Sequence, residues 1–165
     1  MRRTVLLLAV AACGPVTPPS TEGLTHHTGL ANNHVPACLD ASQCGNGTHP
    51  PAGGPHCGSW LNCRVYATAQ NRCEWIHNLE HGHMVLAYNC PSGCDDVVKA
   101  LTDFHAALPT PRRALVTPDP MLTSRVAAIV WGYTWTGDTV DVQKLEAVRA
   151  VQDMDAPEPG LGCTP

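Results

Sequence analysis

A histidine-rich stretch, "HNLEHGHMV" at residues 77–85, contains the residue types best suited to metal chemistry. His77 and His81 share a face in a helix, where positions four apart nearly coincide around the axis, and also in a strand, where even spacing returns to one side. A helical turn adds Glu80 to the pair, whereas an extended chain adds His83. Imidazole is a common metal ligand, and a carboxylate can ligate or orient it. The stretch indicates a metal or catalytic site, with a hydrogen-bonded polar turn as the alternative.

The residues around this cluster favour one conformation. Gly82 is placed to end a helical turn in the left-handed conformation that glycine adopts easily. Trp75 and Leu79, four positions apart, would anchor such a turn on the core. We predict a turn that ends at His81 and a strand that begins at His83.

The same stretch matches the H-x-x-E-H arrangement of the inverzincin peptidases, in which both histidines bind zinc and the glutamate acts as base. Those enzymes need a further ligand on a distant helix and a large substrate cleft. A domain of this size has little room for either. We therefore do not predict peptidase activity.

Three apolar runs that follow Glu80 predict the strands that position the cluster. They cover residues 83–88, 112–118 and 125–135. The last run is apolar on both faces, which is typical of a strand in the middle of a sheet. We predict one such central strand over residues 125–135.

Two segments have the apolar spacing of helices. Residues 92–108 follow Ser92, a predicted N-cap, and stop before Pro109. Residues 141–153 form the second predicted helix. The order of elements predicts an α+β or α/β fold with a small sheet of about 3–5 strands and two helices. The predicted inner positions of the helices are Val97, Leu101, Phe104 and Leu108, and then Val142, Leu145, Val148 and Val151.

The chain up to about Asn71 is rich in Gly, Pro and Cys, which predicts loops joined by disulfides. Setting Cys13 aside from the nine cysteines leaves eight, and an even number outside the cytoplasm favours a disulfide framework. Eight cysteines allow on the order of a hundred pairings, so the connectivity stays open. The absence of any Cys-x-x-Cys pair disfavours a zinc ribbon. The eight are Cys38, Cys44, Cys57, Cys63, Cys73, Cys90, Cys94 and Cys163.

The N-terminus has the pattern of an export signal. Two arginines precede the apolar "TVLLLAVAAC", which predicts a signal peptide over residues 1–12. The apolar run is too short to cross a bilayer of about 30 Å as a helix. Its end resembles the lipobox of bacterial lipoproteins, in which Cys13 would carry the lipid, including palmitate. We predict a lipid-anchored protein of the cell envelope that faces the periplasm or exterior, with an ordinary secretory signal as the alternative.

The rest of the chain divides into a tether and a domain. Residues 13–34 have few large apolar side chains and predict a flexible tether, to which we assign His26, His27 and His34. Residues 35–165 are enough for one globular domain. The net charge of −4 and the lack of a basic block exclude a nucleic-acid partner. The predicted partner is the membrane, through the lipid.

Three segments carry a family resemblance: "HPPAGGPHC" at 49–57, "WIHNLEHGHMVLAYNCPSGC" at 75–94 and "VWGY" at 130–133. They resemble the bacterial family called domain of unknown function 3105, over about residues 34–153. Its first motif, Pro-Pro-x-x-Gly-Pro-His, ends here at His56. Its second, His-x-Leu-Glu-His-Gly, covers residues 77–82. The resemblance implies candidate residues but no activity.

The resemblance couples His56 to His77, Glu80 and His81 as a set of metal ligands. Three imidazoles and a carboxylate suit Zn, Cu, Mn or Fe(II), and the ligand types alone leave the metal open. Additional ligands implied in the same region are His49 and His83.

A rival site lies in the cysteines. Cys90 and Cys94 fall between a predicted strand and the start of a predicted helix, where amide dipoles lower the pKa of a thiol. Their spacing is similar to that of thioredoxin-fold copper chaperones. A structural disulfide that closes the turn is the alternative.

These features rank three functions. The first is an extracytoplasmic, lipid-anchored metal-binding domain, with catalysis unassigned. The second is a thiol-disulfide redox or copper-handling protein that uses the two cysteines. The third is a disulfide-linked structural or interaction module without metal.

Overall fold

A five-stranded mixed sheet organises the structure. The structure, a computed structural model, describes residues 18–36, 38 and 41–163. The predicted signal peptide and Cys13 lie outside these residues. Within the described residues, no helix combines the length and the apolar composition needed to cross a membrane.

The strands form two sheets. The larger has the order β1-β7-β6-β4-β5, and only β4 and β5 pair in parallel. The smaller consists of β2 and β3, also parallel. The strands are β1 Thr25–His26, β2 His34–Val35, β3 His56–Cys57, β4 Met84–Tyr88, β5 Ala114–Pro118, β6 Val126–Val130 and β7 Tyr133–Gly137.

Three α-helices cover the larger sheet. They are α1 Arg72–Glu80, α2 Asp95–Ala107 and α3 Val142–Ala150, and a 3-10 helix covers Ala41–Gln43. Helix α2 forms the crossover between β4 and β5, which parallel strands require. The predicted α+β class with a small sheet and a disulfide-rich loop region is confirmed, with α1 as a helix beyond the two predicted.

Alternate residues of the strands face two separate cores. Met84 and Leu86 of β4 pack with α2 and α3 on one face of the sheet. Val85 and Ala87 of the same strand pack with α1 and the loops on the other face. Strand β6 lies between β7 and β4 and is buried along its whole length, as predicted for a central strand. Helices on both faces therefore explain why these strands are apolar throughout.

The predicted single strand over residues 125–135 is wrong, because the chain reverses inside it. Strands β6 and β7 form a hairpin in which Val130 pairs with Tyr133. Gly132 lies in the turn with φ +81°, a conformation that glycine adopts without strain. The apolar run continues through the turn, so hydrophobicity alone did not mark the reversal.

Both predicted helices form, with different boundaries. Ser92 is not the N-cap of α2, because residues 90–94 form a disulfide-closed turn in which the Gly93 N–H bonds the Cys90 carbonyl, and Cys94 takes the N-cap position. Helix α3 ends at Ala150, before the predicted end, and Val142 at its first turn is 55% exposed. The other predicted inner positions of the two helices are buried.

All eight predicted cysteines are paired. The disulfides are Cys38–Cys57, Cys44–Cys73, Cys63–Cys163 and Cys90–Cys94. Three of them join the loop region to itself, to α1 or to the C-terminal segment. These bonds hold together a part of the chain that contains little regular structure.

Part of the predicted tether lies against the domain. Thr25 and His26 pair with β7 at the edge of the sheet, and His34 pairs with His56 in the smaller sheet. The assignment of His26 and His34 to a solvated tether is therefore corrected. Backbone pairing, which composition does not reveal, holds both residues in place.

Candidate metal centre

Helix α1 positions the histidine-rich stretch. The Asn71 side chain caps its start by accepting from the Cys73 N–H at 2.9 Å. At its end, the Gly82 N–H bonds the Leu79 carbonyl and the His83 N–H bonds the Asn78 carbonyl, which together form a Schellman motif.

The predicted turn is confirmed and is the last turn of this helix. Gly82 has φ +70°, so glycine is required where the chain leaves the helix. Trp75 and Leu79 are fully buried and anchor α1 on the sheet. The strand begins at Met84 and not at the predicted His83, because the His83 N–H closes the helix end.

Glu80 lies at the centre of a ring of histidines. Its side chain is 3% exposed. The Nε2 atoms of His56, His34 and His77 lie 3.1, 3.2 and 3.5 Å from the same carboxylate oxygen, Oε2. One ligand-capable atom from each of the four residues lies within 4.8 Å of all the others. The helix therefore supplies two members, and two come from the strands of the smaller sheet.

Two of these rings are oriented by backbone carbonyls. His56 Nδ1 lies 2.7 Å from the Gly54 carbonyl oxygen, and His77 Nδ1 lies 2.7 Å from the Cys57 carbonyl oxygen. A carbonyl only accepts, so each Nδ1 carries the hydrogen of the neutral ring. Each Nε2 then presents a lone pair towards the Glu80 carboxylate. Three acceptors that converge without a hydrogen between them require a cation.

The loop that carries His56 is shaped by close backbone approach. Gly54 has φ +120°, and a Cβ there would collide with the backbone of Gly45. The Gly45 N–H bonds the Pro55 carbonyl at 3.0 Å, which fixes the two loop segments together. The Pro-Pro-x-x-Gly-Pro-His motif therefore has a physical role, because it directs the Gly54 carbonyl to the ring of His56.

His34 is the member of the cluster that the sequence did not predict. Strand β2 pairs with β3 so that His34 lies beside His56, and the nearby Cys38–Cys57 disulfide joins the same two segments. The His34 ring stacks on His77 with centroids 4.7 Å apart. Its side chain is 51% exposed, so the cluster opens to solvent on this side. No local pattern marks His34, because its partner lies 22 positions away (56 − 34).

The spacing of the cluster fits a small metal ion. Zn²⁺ binds nitrogen and oxygen ligands at about 2.0–2.2 Å, and the edge of a tetrahedron with such bonds is about 3.3–3.5 Å. The three nitrogen–oxygen distances of 3.1, 3.2 and 3.5 Å lie close to that edge. A divalent ion would also balance the buried charge of Glu80, which is costly without a counter-charge.

Burial keeps the imidazole rings neutral, which is the form that binds metal. It lowers the pKa of His77 from 6.5 to about 4, against the opposing effect of the hydrogen bond to the Cys57 carbonyl. The positive charges that His81 and His56 would carry also lower it. His77 is therefore an unprotonated ligand at neutral pH.

His81, a predicted member of the set, lies beside the cluster. Its ring centroid is 4.6 Å from that of His77, and Trp60 contacts both rings. His81 is 2% exposed, and neither of its ring nitrogens has a hydrogen-bond partner. Its nearest charged group is Glu158, with Oε2 3.8 Å from His81 Nδ1. The structure therefore brings together His56, His77 and Glu80 of the predicted set, and places His81 in a neighbouring group with Glu158.

The two additional predicted ligands make other contacts. His83 is fully buried, with Nδ1 3.1 Å from the Asn78 side-chain nitrogen and Nε2 2.8 Å from the Leu161 carbonyl. Burial lowers the pKa of His83 from 6.5 to about 4. His49 is exposed and pairs with Arg72 at 2.7 Å. Neither ring belongs to the cluster around Glu80.

The rival cysteine site lies on the opposite face of the sheet. Cys90 and Cys94 form a disulfide between β4 and α2, as the structural alternative predicted. Cys94 packs into the core under α2 and α3, whereas Trp75, Ile76 and Leu79 of the site helix α1 pack into the other core. The disulfide and the histidine cluster are therefore separate sites.

Comparison with known proteins agrees with the motifs. The family described as "Protein of unknown function (DUF3105)" matches residues 42–165. The chain belongs to this DUF3105 family. The match covers the His56 loop, helix α1 and Glu158, while His34 lies just before it. No curated protein and no solved structure matches the chain.

Proposed function

We propose that this DUF3105 protein binds a divalent transition metal ion through His34, His56, His77 and Glu80. One observation carries the proposal: three imidazole Nε2 atoms converge on one buried carboxylate oxygen, and two of those rings have their hydrogens committed to backbone carbonyls. Backbone carbonyls commonly orient metal-binding histidines in this way.

The charge of the cluster favours a metal ion over protons. Three protonated rings around one carboxylate would leave about two net positive charges, in a site where three of the four side chains are buried. Neutral rings with a divalent ion leave about one positive charge, and the ion also bonds to every lone pair. The ion therefore stabilises the arrangement more effectively.

The ligand set suits several ions of the first transition row. Imidazole binds Zn, Cu and Fe well, and a carboxylate extends the range to Mn. We choose Zn²⁺ as the probe because it accepts tetrahedral nitrogen and oxygen ligands and has no redox chemistry. The exposed side chain of His34 gives an ion access from solvent.

We also propose that the domain is held at the cell envelope by a lipid on Cys13. The lipobox-like end of the signal sequence supports this location. Disulfides persist in such oxidising compartments, and the four disulfides agree with export.

The test is metal analysis of full-length protein, extracted in mild detergent and purified without a histidine tag. After reconstitution with Zn²⁺ and removal of free metal, we expect at least about one equivalent per chain. His56→Ala, His77→Ala and Glu80→Gln should each weaken binding by about 10- to 100-fold or more. Metal content near zero that reconstitution does not change would refute the proposal.

His105→Gln is the matched control. His105 is a buried histidine on α2 whose Nε2 lies 3.0 Å from the Ala114 carbonyl, outside the cluster. Its variant should keep the metal content of the parent. Far-ultraviolet circular dichroism of every variant separates lost ligands from lost fold. Equal metal content in the control and in all three site variants would also refute the assignment.

A further inference from the structure

The structure assigns a second cation site to Glu80, His81 and Glu158, so that the centre holds two ions and shares Glu80 between them. This inference rests on the proposed function, because it adds an ion beside the first. One ligand-capable atom from each of the three residues lies within 4.8 Å of the other two.

His81 is the observation that points to a ligand. A neutral imidazole always has one nitrogen that donates and one that accepts. His81 is 2% exposed and has no hydrogen-bond partner at either nitrogen. Leaving a buried polar group unsatisfied costs about 1–3 kcal/mol. Its Nδ1 lies 3.8 Å from Glu158 Oε2, which is too long for a hydrogen bond but leaves space for an ion bonded to both.

The C-terminal segment is held where Glu158 can contribute. The Glu158 N–H donates to the Glu80 carbonyl at 3.0 Å, and the Gly160 N–H donates to the His81 carbonyl at 3.3 Å. The Leu161 carbonyl lies 2.8 Å from His83 Nε2, and the disulfide from Cys163 closes the segment. These contacts satisfy carbonyls at the end of α1 and fix the backbone of Glu158 beside His81.

Glu80 connects the two groups. It belongs both to the cluster with three histidines and to the group with His81 and Glu158. A carboxylate has two oxygens and can bridge two ions, which lie about 3.5–4 Å apart in two-metal sites. The second site is the more open one, because the Glu158 side chain is 61% exposed.

The chemistry of the second site differs from that of the first. Two carboxylates and one imidazole suit Mn²⁺, Fe²⁺ or Zn²⁺, and three protein ligands leave positions for water or for an anionic oxygen ligand. The first site has four protein ligands. The second ion should therefore bind more weakly and exchange faster than the first.

Mn²⁺ and Zn²⁺ titrations of the full-length protein test this assignment. We expect about two equivalents in the parent, and about one in Glu158→Gln and in His81→Ala, with the tighter binding step unchanged. Electron paramagnetic resonance of the Mn²⁺-loaded parent should show two coupled ions, and Glu158→Gln should show isolated ions. Glu146→Gln, which removes an exposed carboxylate of α3 that pairs with Arg149, is the control and should keep two equivalents.

The outcomes separate the two proposals. No bound metal in the parent would refute the proposed function itself. One equivalent in the parent, unchanged in Glu158→Gln, would refute the second site and leave the first intact. Two equivalents in both the parent and Glu158→Gln would overturn the ligand assignment. Because Glu158 is exposed, its variant should fold even if His81→Ala does not.

Discussion

Acidification should destabilise the metal-free protein through His83, a buried ring that lies outside the cluster around Glu80. Burial lowers the pKa of His83 in the folded protein from 6.5 to about 4. The unfolded chain therefore binds a proton at His83 between these pH values, whereas the folded protein does not. Stability rises with pH wherever the unfolded state binds more protons. The contribution of His83 is fully present above about pH 6.5 and is lost as the pH falls towards about 4.

The size of the effect follows from the two pKa values. Each pKa unit is about 1.4 kcal/mol, so the difference between 6.5 and about 4 limits the loss to about 3 kcal/mol. Between about pH 7 and about pH 5 the same two values give a loss of about 2 kcal/mol. The total stability of a domain is about 5–15 kcal/mol, so the change is large enough to measure.

The assay compares urea unfolding of the parent and of His83→Gln at both pH values, with a chelator present and the disulfides intact. The variant should be less stable at neutral pH, because it disturbs the bonds to Asn78 and Leu161. Its stability should depend less on pH, by about 2 kcal/mol over this interval. Equal pH dependence in the two proteins would refute the assignment of a buried, neutral His83.

Three further predictions concern the rest of the chain. His34→Ala should weaken Zn²⁺ binding less than His77→Ala, because water can replace a ligand that is 51% exposed; competition with a chromophoric chelator measures this, and the reverse order would contradict it. The Cys90–Cys94 disulfide should open only together with the others under graded reductant, read by alkylation and mass spectrometry; selective opening at mild potential would favour the redox alternative. Cys13→Ser should release the protein from membranes into the soluble fraction, and a wild type that is already soluble would contradict lipid anchoring.

Local patterns predicted the elements well where neighbouring residues decide the structure. Apolar spacing located α2 and α3, and the position of Gly82 predicted the end of the turn before β4. The predictions failed where one apolar run served two elements, as in the β6–β7 hairpin. They also failed at the start of α2, where a disulfide-closed turn replaced the predicted Ser92 cap.

The candidate site divides in the same way. His77 and Glu80 come together because both lie on one helix, three positions apart, and the family motif added His56. His34 and Glu158 were missed. Each lies far along the chain from Glu80, and neither stands in a recognisable pattern.

The sequence by itself determined the helix that presents His77 and Glu80, because the spacing of apolar residues and a terminal glycine act over a few positions. Only the tertiary structure decided which other groups meet Glu80. Disulfides and short strand pairs bring His34 to His56, and hydrogen bonds at the end of α1 bring Glu158 to His81. Such contacts join residues that are distant in sequence, and with on the order of a hundred possible cysteine pairings the sequence could not select them.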